Sequence, residues 1–98
     1  MEQLERIRAM EETLQRAKEL CRRLDEALED YAALRAPVKE LDAYYGSELW
    51  FYDLGCDDAG LIPADLPRGV LSEDEAYDLL CDWRALREKM LDLASEEP

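Results

Sequence analysis

The sequence contains no histidine. That absence removes the commonest general base, the Ser-His-Asp and Cys-His nucleophile systems, and every histidine-containing metal site. Basic residues are also scarce: 12 Lys and Arg stand against 25 Asp and Glu, for a formal charge of −13. Such a chain repels phosphate backbones and anionic lipid, which argues against nucleic acid and membrane surfaces as partners. No run approaches the roughly 20 apolar residues of a membrane span. The opening Met1-Glu2-Gln3-Leu4-Glu5-Arg6 has neither the basic cap nor the apolar core of a signal peptide, so the expected location is cytoplasmic. Cys21, Cys56 and Cys81 are odd in number, far apart and without a C-x-x-C pairing. They predict three free thiols rather than a disulfide framework or a zinc site. Gly55, Gly60 and Gly69 are spaced for turns, not for a phosphate cradle, and no cofactor is expected.

What is present is helical. Apolar residues make up 48% and charged residues 38% of 98 residues, interspersed at helical spacing, which suits a single small domain with one modest core. From Glu2 to about Arg35, Ile7, Met10, Leu14, Ala17, Cys21, Leu24, Leu28 and Tyr31 alternate steps of three and four, the a/d pattern of a heptad repeat. Leu20, Ala27 and Leu34 each precede an a position and widen the stripe, so the helix is expected to face two neighbours. Charge on this helix is nearly balanced, with nine acids and seven bases over residues 1–36, whereas residues 37–75 carry ten acids and two bases. The middle of the chain is the anionic pole.

Pro37 disfavours helical geometry at Ala36 and lacks a backbone donor, which predicts a break or kink after a long helix over 1–36. Short helices over 37–54 follow, separated by Gly46 as a C-cap and Ser47 as an N-cap. Five of the eight aromatic residues fall between Tyr44 and Tyr52, a density that reads as a packing node rather than a ligand cage. Residues 55–71 hold three glycines and two prolines and read as a loop, which Leu61, Ile62, Leu66, Val70 and Leu71 are expected to pin to the core. The last helix, over 72–95, starts on a capping box, Ser72 with Glu75, stapled by Leu71 and Ala76. Its apolar stripe is Ala76, Leu79, Leu80, Trp83, Leu86, Met90 and Leu93, and Glu96-Glu97-Pro98 is expected to fray.

The expected fold is therefore all-α: a long N-terminal helix packed antiparallel on a C-terminal helix, with short middle helices and an ordered acidic loop, as a helical hairpin or three-helix bundle. A 34-residue helix is about 51 Å long, against a radius of gyration near 13 Å for a compact chain of 100 residues. The final helix covers only part of it, so either an elongated three-helix monomer or an antiparallel dimer would satisfy the stripe.

Tyr44-Tyr45-Gly46-Ser47, Trp50, Asp53, Asp57, Gly60, Pro63, Asp65-Leu66, Arg68-Gly69-Val70-Leu71-Ser72-Glu73-Asp74 and Tyr77-Asp78-Leu79-Leu80 form a specific pattern. With the opening Leu4-Glu5-Arg6-Ile7 and Met10-Glu11, it resembles a family of small bacterial proteins catalogued as a domain of unknown function. The resemblance covers almost the whole chain and implies a bacterial helical protein of about 100 residues. It implies no activity and no functional residues. The sequence departs from the family pattern at Phe51 and Cys56, where polar residues are expected.

Two functional readings follow. The first is a non-enzymatic helical interaction protein whose partner is a second copy, as a homodimer through the stripe of 1–35, or a basic protein surface meeting the acidic segment. Tyr44, Tyr45, Trp50, Arg68, Ser72 and Glu75 are the candidate interaction or structural residues. The second is a cation-binding or metal-dependent protein that gathers Asp53, Asp57, Asp58 and Asp65 around a hard cation through oxygen ligands. Their spacing matches no EF-hand, and the plainer expectation is that these carboxylates cap turns and pair with Arg68. Cys56, beside Asp57, is a poor nucleophile because neighbouring negative charge disfavours its thiolate.

Overall fold

A computed structural model describes residues 2–96 of the chain. The described residues form three α-helices, α1 (Gln3–Tyr44), α2 (Glu48–Asp58) and α3 (Glu73–Glu96), with a single 3-10 turn at Gly69–Leu71 before α3. No strand occurs among them, and the fold is all-α. The chain divides into two units, Met1–Ala36 and Pro37–Pro98, with the boundary inside α1.

The expected break at Pro37 does not occur: α1 runs unbroken through it. Proline forfeits the hydrogen bond to the carbonyl of Ala33 and crowds that group. Ala33 is exposed, so water can satisfy the freed oxygen. Tertiary contacts then hold the following two turns helical. Val38 and Leu41 are half-buried, Asp42 pairs with Arg84 at 3.1 Å, and Tyr44 is hydrogen-bonded to α2.

In the first unit α1 is stabilised locally. Arg22 bridges Glu19 at 2.7 Å and Glu26 at 3.1 Å, and Arg23 reaches Glu19 at 3.8 Å. The Arg22 guanidinium holds the Glu19 carboxyl below its usual range. The apolar stripe lies open. Leu4, Ile7, Met10, Leu14, Leu20, Leu24, Leu28 and Leu34 are each between 41% and 58% exposed.

The second unit holds the core. Trp50, Ala76 and Leu80 are 4%, 5% and 5% exposed. The end of α1 meets α3 in antiparallel order: Asp42 reaches Arg84, Leu41 shares a shallow groove with Ala76 and Leu79, and the Tyr45 hydroxyl donates to the Glu73 carbonyl. Within this unit the last turns of α1 therefore pair antiparallel with α3. On α3 the predicted stripe is covered unevenly. Ala76 and Leu80 are buried and Trp83 and Met90 half-buried, while Leu79, Leu86 and Leu93 are exposed.

Two boundaries move for identifiable reasons. The helix expected to stop at Gly55 continues to Asp58 and ends on Gly60, which takes the left-handed conformation at φ +75°. There the Leu61 N–H donates to the Cys56 carbonyl and the Gly60 N–H to the Asp57 carbonyl, the two bonds of a Schellman motif. Gly46, at φ +79°, also takes the left-handed conformation after α1, where the Ser47 N–H donates to the Tyr44 carbonyl at 2.9 Å. The loop is correspondingly shorter than 55–71, and only Ile62 and Leu71 of its apolar residues are half-buried; Leu61, Leu66 and Val70 are exposed. Of the expected fraying end, Glu96 is helical, and Glu97 and Pro98 lie outside the described residues.

Candidate functional site

Side chains from three elements meet around Trp50. Ser47 opens α2 as its N-cap, accepting a hydrogen bond from the Trp50 N–H at 3.2 Å. The first turn of α2 thereby directs the indole inward, where Nε1–H donates to the Val70 carbonyl at 2.9 Å. A buried indole needs a partner for that donor, and the 3-10 turn supplies one. Tyr45 packs edge-on against Trp50, with ring centroids 5.1 Å apart at 68°, and its hydroxyl donates to the Glu73 carbonyl at 2.9 Å. The turn after α1, the start of α2 and the entry to α3 are tied together by these two aromatic side chains.

The acidic residues do not converge. The Tyr44 hydroxyl donates to Asp53 Oδ2 at 2.6 Å. This bond to a carboxylate, with burial and the negative charge of Asp53 adding to it, pushes the Tyr44 hydroxyl up to about 12. Asp57 pairs with Arg68 at 3.0 Å, as expected for the loop, and Arg68 also donates to the Pro63 carbonyl at 3.3 Å. Asp58 and Asp65 are exposed. Among the described residues no three acidic or thiol side chains come together as a metal site requires. The groove beside the Tyr44–Asp53 pair is shallow, lined by Ile62, Leu66, Arg68 and Leu71.

The capping box is half formed. Ser72 Oγ accepts from the Glu75 N–H at 3.2 Å, but the Ser72 N–H donates to the Gly69 carbonyl at 3.0 Å rather than to the Glu75 side chain. The 3-10 turn has already satisfied that donor, so the Glu75 carboxylate folds over Gly69 instead, into the space that a Cβ there would occupy. Leu71 and the buried Ala76 flank the cap as a staple.

Of the candidate residues, Tyr44, Tyr45, Trp50, Asp53, Asp57, Arg68, Ser72 and Glu75 fall into one structural knot, bonded to one another or to nearby main-chain carbonyls, and Asp58 and Asp65 lie exposed outside it. Sequence reasoning did not anticipate the Tyr44–Asp53 and Asp42–Arg84 contacts, because spacing alone does not pair residues on different helices. The departures at Phe51 and Cys56 differ in outcome: Phe51 is 61% exposed, with its ring 5.0 Å from Trp50, and Cys56 is half-buried.

A family model described as a domain of unknown function, DUF4298, matches residues 7–93. The chain belongs to the DUF4298 family. In this DUF4298 chain the matched stretch takes in the whole Trp50 knot and the exposed stripe from Ile7 to Leu34. No curated protein and no solved structure matches it.

Proposed function

We propose that this chain is a non-enzymatic helical interaction module of the bacterial cytoplasm, and that its contact surface is the apolar stripe of α1. The observation that carries this reading is the exposure of eight large apolar side chains in heptad register, from Leu4 to Leu34, on a continuous helix. Scattered apolar residues on a surface need no explanation, but a contiguous stripe does. Covering the half of each side chain that remains open is worth roughly 1 kcal/mol per residue, and the sum over the stripe rivals the rotational and translational cost of association. A helix standing by local propensity alone forgoes that gain.

The second unit supports the non-enzymatic part. Its polar side chains are spent on holding the Trp50 knot together, with Tyr44 on Asp53 and Arg68 on Asp57. Cation binding by Asp53, Asp57, Asp58 and Asp65 is the weaker reading, because two of the four are already engaged and the other two point to solvent. The three free thiols favour a reducing compartment, and the charge of −13 favours a protein partner over nucleic acid or lipid.

Cross-linking the chain in cells that express it tests the module reading. A cross-linked adduct larger than the chain should form and should disappear when Leu14 and Leu28 are both replaced by Glu. An adduct that survives both replacements, or no adduct at all, contradicts the proposal.

A further inference from the structure

We infer that the occupant of the stripe is a second copy of this chain, laid antiparallel along α1 in the register that sets Cys21 against Leu24 of the other copy. This rests on the reading of α1 as the contact surface and adds partner, orientation and register to it.

The heptad positions separate sharply. Position f is Glu5, Glu12, Glu19 and Glu26, all exposed, as the outermost position of a paired helix should be. The a and d positions are the stripe. The two flanking positions differ over the middle of the helix: from residue 13 onward g is Thr13, Leu20, Ala27 and Leu34, largely apolar, whereas e is charged at Glu11, Lys18 and Asp25 between the apolar Leu4 and Ala32. In a parallel pair each g residue faces an e residue of the partner helix. Leu20 would then lie against a partner Asp25 and Thr13 against a partner Lys18. In an antiparallel pair g faces g and e faces e, so apolar flanks meet apolar flanks and charged flanks meet charged ones. The composition of α1 therefore selects the antiparallel arrangement.

Charge then selects the register. With Cys21 level with a partner Leu24, the central core layers are Leu14 with Tyr31, Ala17 with Leu28 and Cys21 with Leu24, each occurring twice by symmetry, and Met10 faces Arg35 beyond them. On the e side Lys18 falls beside the partner's Asp25, also twice. Sliding by one heptad to bring Leu14 level with a partner Leu24 keeps an apolar core, but it sets Lys18 against Lys18 and Glu11 against Asp25. Like charges at that distance oppose association. Among the described residues neither Lys18 nor Asp25 is engaged in an ion pair within its own copy, whereas Glu19, Arg22 and Glu26 on the outer face are.

The test is sedimentation equilibrium of the purified full chain from roughly 1 to 200 µM, a range that spans the affinity of a modest interface. Wild type should be a monomer–dimer equilibrium. Lys18→Glu and Asp25→Lys should each weaken it about tenfold, since each introduces two like-charge contacts per dimer. The double exchange should restore the wild-type constant to within about threefold, because the cycle isolates the pair. Both positions are exposed, so the variants keep the helix. A monomer throughout the range overturns the inference, and so does a double variant weakened by the product of the two single effects, the result expected of parallel helices. If the purified chain is monomeric while the stripe-dependent adduct still forms in cells, the module reading survives and only the self-partner falls.

Discussion

Replacing Tyr44 by Phe removes one oxygen from the knot around Trp50 and tests how that knot is held. The hydroxyl donates to Asp53 Oδ2 at 2.6 Å, linking the last residue of α1 to the second turn of α2. A hydrogen bond to a charged acceptor contributes about 1.5–3 kcal/mol. Both side chains are half-buried, so water can partly replace the donor in the variant, and the cost should sit near the lower end, about 1.5 kcal/mol. At roughly 4–8 °C per kcal/mol for a domain of this size, the melting midpoint should fall by several degrees. The same bond has a signature in pH. The Tyr44 hydroxyl is pushed up to about 12, so the folded state holds this proton more tightly than the unfolded state, whose tyrosines titrate near 10. The stabilisation is therefore complete below pH 10 and is lost as pH rises from 10 to 12. Tyrosinate absorbance should show a late component in wild type that Tyr44→Phe reduces by one tyrosine. Tyr77, also raised through its hydrogen bond to Cys81, is the control, and Tyr77→Phe should leave the Tyr44 component in place. A late component unchanged by Tyr44→Phe, or a variant as stable as wild type at pH 8, would refute this account of the knot.

Three further changes have expected outcomes. Trp50→Phe loses both buried area and the donor to the Val70 carbonyl, leaving that acceptor open, and should cost about 2–3 kcal/mol by denaturant unfolding. Gly60→Ala forces a Cβ into the left-handed region at the end of α2 and should cost about 1 kcal/mol in the same assay, although nothing crowds the site. Pro37→Ala restores a main-chain donor in mid-helix and should stabilise α1 by about 2 kcal/mol, less than the full penalty of about 3 because the variant's unfolded chain is freer. Thermal unfolding followed by circular dichroism checks it, and a lower midpoint would contradict the view that α1 tolerates Pro37 against its cost.

The parts of this fold legible in the sequence are those set by neighbouring residues. Ser47 and Ser72 cap α2 and α3 as their positions before helical runs predict, and Asp57 meets Arg68 across the loop. Errors arose where distant contacts override a local preference. Pro37 reads as a break, yet Leu41, Asp42 and Tyr44 anchor the turns beyond it. Gly55 reads as a stop, yet Gly60, five residues on, provides the left-handed step. The loop leucines, Leu61 and Leu66, read as anchors, but polar contacts of Trp50 and Arg68 hold that segment. In the candidate site the residue types were visible and the pairings were not, because Tyr44 with Asp53 and Tyr45 with Glu73 depend on how the helices pack.

The exposed stripe of α1 is the centre of this account, and hydrogen exchange of the purified chain at two concentrations tests it most directly. Above the dimerisation constant, amides of residues 10–35 should be protected well beyond what an isolated helix allows, and dilution below it should erase that protection while amides around Trp50 and Leu80 keep theirs. Protection of residues 10–35 that does not change with concentration would contradict the claim that a second copy covers this face.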